Sequence, residues 1–199
     1  MGTWLNESVS TGLVQRPYVV PSLLRDLVLL DMVELAGSTV AAAKLLNVSQ
    51  PTVSRRFRAV CNDLQITGNL KERAGQRLEH NPCLRLLRRG ICHHRWDAAS
   101  LRFGIEAGLP FPSGGRVQWV GLRVDQPSDW DCLMRAELID GALVKGEDQA
   151  ALSNCGDTWI TPKGWGDGIL VSRRHPKVRR LVEGLMSATI ADQRSSTSD

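Results

Sequence analysis

The apolar positions of this chain change period along its length. From Ser22, the residues Leu24, Leu27, Val28, Met32 and Leu35 recur at spacings of three and four. That is the period of one helix face, and Ser22 is placed to cap it. Gly37 stops the helix, because glycine takes a left-handed backbone without steric cost. Ser38 is placed to cap a short second helix, TVAAAKLL, whose three alanines let a neighbour approach closely. Asn47-Val48-Ser49 reads as a tight turn. A third helix opens at Gln50-Pro51, where a proline in the first turn sacrifices no hydrogen bond, and runs to about Leu64. Residues 65–81 hold Gly68-Asn69 and Gly75 among basic residues, which predicts a β-hairpin. Residues 83–99 return to helical spacing, with Leu84, Leu87, Ile91 and Trp96 on one side and Arg85, Arg88, Arg89 and Arg95 on the other.

After Ser100 the pattern changes. LRFGIEAG predicts a strand, PFPSGG a loop and VQWVGLRV a second strand. DWDCLMRAEL predicts a helix with an aspartate cap, and IDGALVK a third strand. Residues 147–168 read as loop. GILVSRR predicts a further strand, and PKVRRLVEGLMSATI a closing helix begun by Pro176. Strands alternating with helices predict a small α/β domain. The polar tail ADQRSSTSD is expected to be disordered.

Three short helices with a tight turn before the third describe a helix-turn-helix, whose last helix enters the major groove of DNA. Its inward positions need small or apolar side chains, and Ala42, Ala43, Leu46, Val48, Val53 and Phe57 fit. Its outward positions need donors for base edges and phosphates. Ser49, Gln50, Thr52, Ser54, Arg55, Arg56 and Arg58 fit, with Ser38 and Pro51 beside them. Glutamine can pair bidentately with adenine and arginine with guanine, while hydroxyls and the remaining arginines hold phosphates and fix the register. Charge agrees. The net charge of +4 is carried by the first half, and residues 47–95 hold ten basic side chains against three acidic ones. A basic segment joined to a near-neutral one suits a nucleic-acid module with a second function attached.

The stretch VELAGSTVAAAKLLNVSQPTVSRRFRAVCNDL resembles the DNA-binding segment of LysR-type transcriptional regulators. The likeness runs through Val33, Gly37, Ser38, Ala42, Ala43, Leu46, Val48, Ser49, Gln50, Pro51, Ser54, Arg55 and Leu64. It is strong over residues 23–64, fair to about 100 and weak beyond. It implies a bacterial, cytoplasmic transcription regulator with a winged helix-turn-helix at 22–82, after an N-terminal extension at 1–21. It further implies a dimerisation helix at 83–99 carrying Leu84, Leu87 and Ile91. Residues 100–190 resemble a shortened effector domain, one reduced lobe of a periplasmic-binding-protein-like fold, followed by a disordered tail at 191–199. The expected fold class is therefore mixed α+β. The expected partners are double-stranded DNA, a second copy of the chain (a tetramer being left open) and a small-molecule effector of unknown identity. From the wing, Arg73 and Arg77 would reach DNA. The sequence departs from the family at Cys61 and Gln65, where the family usually has an acid and a glycine. It departs again at Leu70-Lys71-Glu72-Arg73 and from Glu79 to Pro82.

Other chemistry is weaker. Five cysteines, Cys61, Cys83, Cys92, Cys132 and Cys155, stand at irregular intervals, which predicts free thiols. His80, Cys83, Cys92, His93 and His94 lack the spacing of a zinc site, so no metal and no cofactor are expected. Trp119, Trp130, Trp159 and Trp165 are expected to fill core. Asp125, Asp129, Asp131 and Asp140 form no recognisable acid/base pair, and His175 has no nucleophile at motif spacing. KGWGDG matches no phosphate loop. No enzyme is expected. No apolar run approaches the length that spans a bilayer, and the first twenty residues lack a secretion-signal pattern. The competing reading is a degenerate regulator whose second domain docks a protein and senses no metabolite.

Overall fold

The computed structural model describes residues 18–78, 81–112, 116–124, 126–146, 152, 156–162 and 165–195. The chain divides into two compact units, Met1–Ile91 and Cys92–Asp199.

In the first unit a single 3-10 turn, Ser22–Leu24, precedes α1 (Arg25–Ala36). Ser22 therefore does not cap α1; it lies inside the turn, and no side chain caps either element. The sequence predicted one apolar face, but α1 buries every residue from Leu27 to Leu35, including Asp31 and Glu34. A helix buried all round is the central one of its unit. Gly37 ends it at φ 70°, its N–H donating to the Val33 carbonyl. Ser38 caps α2 (Thr39–Leu45), its hydroxyl accepting from the Ala41 N–H at 3.1 Å. The turn after α2 has a defined form. Asn47 sits at φ 51°, while the Asn47 and Val48 N–H groups donate back to Lys44 and Ala43, which is a Schellman closure.

Helix α3 (Gln50–Asp63) follows, and the same closure ends it at Gln65, φ 51°, with Ile66 bonded back to Cys61. Glycine would be the low-strain residue at Gln65, which is the physical sense of the family's preference there. The predicted hairpin at 65–81 is reduced. One bridge joins Gly68 to Leu78, Asn69 donates to the Arg77 carbonyl, and turns fill the space between. A Cβ on Gly68 would lie 2.5 Å from that carbonyl oxygen, so glycine permits the approach.

Helix α4 (Pro82–Asp97) is capped by Asn81, whose carboxamide accepts from Leu84 and donates to the Leu64 carbonyl, both at 3.0 Å. The division between the units falls within α4. Its first part packs in a core of Leu27, Val28, Leu30, Val60, Ile66 and Leu78.

The second unit is a five-stranded mixed sheet in the order β2-β1-β3-β5-β4. Its strands are β1 (Leu101–Glu106), β2 (Val117–Leu122), β3 (Gly141–Lys145), β4 (Asp157–Ile160) and β5 (Gly168–Ser172). β1 runs parallel to β2 and β3, while β5 is antiparallel to β3 and β4. Strand β4 lies in the segment expected to be loop; its burial alternates, but its four residues, DTWI, run from two polar to two apolar side chains and so carry no alternation that the sequence could show. Helix α5 (Pro127–Arg135) sets Trp130 over Gly104, where a Cβ would come within 2.5 Å of the indole. Asp129 is not its cap residue. It stands at the third helical position and accepts from the Gln126 N–H at 3.2 Å. Helix α6 (Pro176–Ser195) runs further than predicted, through the first residues of the polar tail. Val178, Val182 and Met186 of α6 share a core with Cys92, Trp96, Phe103, Leu143 and Leu170. Among the described residues no helix is long and apolar enough to cross a membrane.

Candidate nucleic-acid interface

Helix α3 and the turn before it hold the residues that matter. Val53 and Val60 are buried and Phe57 half-buried, and these anchor one side of α3 in the unit. The opposite side presents Ser49, Pro51, Arg55 and Arg58 as exposed residues, with Gln50, Thr52 and Ser54 partly exposed. The Ser49 and Thr52 hydroxyls are 2.8 Å apart. The Gln50 carboxamide donates to the Thr39 hydroxyl at 3.1 Å, so the head of α2 orients the first side chain of α3. Arg55 and Arg58 form no ion pair with another described residue, and Arg73 is exposed.

Three predicted residues lie elsewhere. Ser38 is occupied as the α2 cap. Arg56 is bound to Asp26, its Nε and Nη2 both donating to Oδ1. Arg77 turns back onto the end of α1. Its Nη1 donates to the carbonyls of Glu34 and Leu35, its Nε to the Glu72 carbonyl at 2.7 Å, and its guanidinium lies over Gly37. Helix ends leave carbonyls without helical partners, and this arginine supplies them.

The dimer stripe needs a correction. Leu84 and Ile91 are 2% and 1% exposed and Leu87 is half-buried, all packed in their own unit's core. Their helical spacing recorded a core face. The exposed apolar residue of this part of α4 is Leu86, 67% exposed, with exposed Cys83 and Gly90 three and four residues away.

An ion cluster beneath the surface was not foreseen. Arg88, one of the arginines assigned to the polar side of α4, is buried. Its Nε donates to Asp31 at 2.7 Å and its Nη2 to Glu34. Burial pushes the Glu34 carboxyl above its ordinary value, while the Arg88 charge pulls against that shift. Two acids within the otherwise apolar run from Leu27 to Leu35 were the available signal, since buried charges need partners.

In the second unit Asp140 is wholly buried. It accepts from Arg95, from the Trp96 indole and from the Arg102 N–H at 2.8–3.0 Å. Cys92 lies beside this network, and burial pushes its thiol up to about 11, so it is not a ready nucleophile. Trp119 packs edge-on against Phe103 and Trp165, and Trp159 donates to Ser172. Asp131 pairs with Arg135. Cys61, Cys83, Cys92 and Cys132 are free thiols. Asp125, His80 and Cys155 lie outside the described residues. Among the described residues no group of three or more histidines, cysteines or acids is placed to hold a metal ion.

Residues 24–82 match the model of the bacterial regulatory helix-turn-helix protein, lysR family. This segment is a LysR-family helix-turn-helix. The match ends where α4 begins, and so covers α1 to α3 and the reduced hairpin after them. No curated protein and no solved structure matches the chain.

Proposed function

We propose that this LysR-type regulator binds a palindromic operator as a homodimer, with α3 of each copy in a major groove. The observation that carries the reading is the face of α3. Gln50, Thr52, Ser54, Arg55 and Arg58 stand outward while Val53, Phe57 and Val60 hold the helix in its unit. In the proposed division of labour, Gln50 and Arg55 read base edges, and Ser49, Thr52, Ser54, Arg58 and Arg73 hold phosphates. One helix-turn-helix reads few base pairs, so selectivity calls for a second copy. The exposed face of α4 around Leu86 is the proposed seam. The organisation proposed is a winged helix-turn-helix at 22–82, a dimer helix and a shortened effector-like domain at 100–190. That domain is taken as one lobe that binds a small effector and catalyses nothing.

Selection of duplexes from a random pool, followed by footprinting, tests this. The expected result is two inverted half-sites whose centres lie about one helical turn, or a multiple of it, apart. A single unpaired half-site would overturn the dimer reading. Recovery of no preferred sequence would overturn the sequence-specific one.

One observation favours a second reading, in which the α/β unit docks a protein. Ile160, at the end of edge strand β4, is 96% exposed beside a surface hollow lined by Thr158, Trp159, Thr161 and Ile169. Edge strands with apolar exposure are pairing sites. Co-purification of a partner that Ile160→Lys abolishes, with DNA binding indifferent to metabolites, would favour it.

A further inference from the structure

The middle arginine of the recognition helix, Arg56, is not presented as its neighbours are. Arg55 and Arg58 stand outward from α3. Arg56 comes three residues after Val53 and four before Val60, both buried, which places it on the flank that faces the unit. There its guanidinium meets Asp26, in the first turn of α1, and two of its nitrogens donate to one carboxylate oxygen. The two side chains keep 38% and 49% of their exposure, so the pair lies at the surface.

We propose that Asp26 stands in for a phosphate: its carboxylate neutralises Arg56, so that α3 brings two net arginine charges to DNA, and Asp26 thereby sets the affinity for the backbone. The proposal rests on the DNA-binding reading above. A surface pair of this kind is weak in itself, and its strength is not what matters. If Arg56 stays with Asp26, it makes no phosphate contact. If it swings to a phosphate, it leaves a carboxylate bare beside the DNA. Either way the pair adds almost nothing to counterion release. Asp26 is thus a tuning residue that need not touch the nucleic acid, and its removal converts a silent arginine into a binding one.

The test measures affinity for a labelled duplex of mixed sequence, about 20 base pairs long, because the phosphate contribution does not depend on sequence. Full-length wild type, Asp26→Asn, Arg56→Gln and the double variant are titrated across salt, with Arg55→Gln as control. Their thermal unfolding is compared to establish that each is folded. In the wild-type background, Asp26→Asn should steepen the log–log salt slope by about 0.9. Affinity would then fall by a further factor of about 3.5 between 50 and 200 mM salt. In the Arg56→Gln background the same change should have little effect, because no arginine remains to be released. Equal effects of Asp26→Asn in both backgrounds would reduce Asp26 to a general negative charge and overturn the proposal, as would no effect in either. Failure of the DNA-binding reading looks different: the wild type would then have a slope near zero and Arg55→Gln would change nothing.

Discussion

At the scale of single residues, the Thr39 hydroxyl holds the Gln50 carboxamide at 3.1 Å, while Arg55 and Arg58 stand exposed. That Arg55 and Arg58 are exposed on α3 and that Gln50 opens it was legible from the string SQPTVSRRFR alone, because turn chemistry fixes where α3 begins and helical period then fixes its faces. Arg77 was not legible. Which carbonyls an arginine finds depends on the path of the chain between residues 65 and 81, and that path is set by turns with no periodic signature. The hydrogen bond from Gln50 to Thr39 makes a residue-scale prediction. Gln50→Ala should relax base preference at one position of each half-site, at a cost of about 1–3 kcal/mol there. Thr39→Val should weaken the same position while leaving the salt slope unchanged, since it releases the amide without removing it. Selection from a random duplex pool reads both variants. A uniform loss of affinity with an unaltered preferred sequence would remove Gln50 from base reading.

At the scale of elements, hydrophobic period identified helices more securely than it identified their partners. Leu84, Leu87 and Ile91 do form one face, but period cannot say whether that face meets its own chain or another. Likewise α1 was predicted with one apolar side because its remaining positions include Asp31 and Glu34, acids that only a buried arginine from α4 makes tolerable. Arg88 is therefore expected to be decisive for the first unit. Arg88→Met should destabilise it by about 3–5 kcal/mol, the usual cost of breaking a buried pair from one side. Urea unfolding followed by helical circular dichroism measures this. The loss should shrink in acid, where Glu34 accepts a proton. A loss under about 1 kcal/mol at neutral pH would mean that the acids find other compensation.

In the second unit His175, at the start of α6, makes the corresponding pH prediction. Burial lowers its pKa below the ordinary 6.5, helped by His93 on α4, by Arg173 and by Lys177, with Glu137 opposing. Its ring lies 4.4 Å from that of Trp96. A lowered value means that the unfolded chain takes up the proton first, so stability present above pH 6.5 is lost as pH falls through the folded value. Thermal unfolding between pH 7.5 and 5 should show a decline that His175→Gln flattens. An identical decline in the variant would assign the effect to other groups.

At the scale of the whole molecule, the sequence conveyed two units of different chemistry because charge and hydrophobic period both change near residue 100. The reduction of the hairpin, strand β4 and the length of α6 did not come through. Each depends on pairings between segments far apart in sequence or on a terminus whose polar composition resembles that of a coil. Assembly is where this scale decides mechanism. The unit that carries α3 leaves Cys83, Leu86 and Gly90 exposed at helical spacing on α4. A leucine 67% exposed beside a glycine is a surface that a second helix can approach closely, and pairing such a face removes apolar area from water. Leu86→Glu is therefore expected to give folded monomers whose operator affinity falls at least tenfold, because each half-site must then be bound alone. Leu84→Glu should behave differently. It places a charge in the unit's own core, and should lower the unfolding temperature sharply before any question of assembly arises. Sedimentation equilibrium at tens of micromolar, with circular dichroism on the same samples, separates the two. If Leu86→Glu remains dimeric and binds DNA as the wild type does, the seam lies elsewhere. If the wild type is itself monomeric both with and without DNA, a single α3 must account for all the selectivity, and the palindromic operator goes with the dimer.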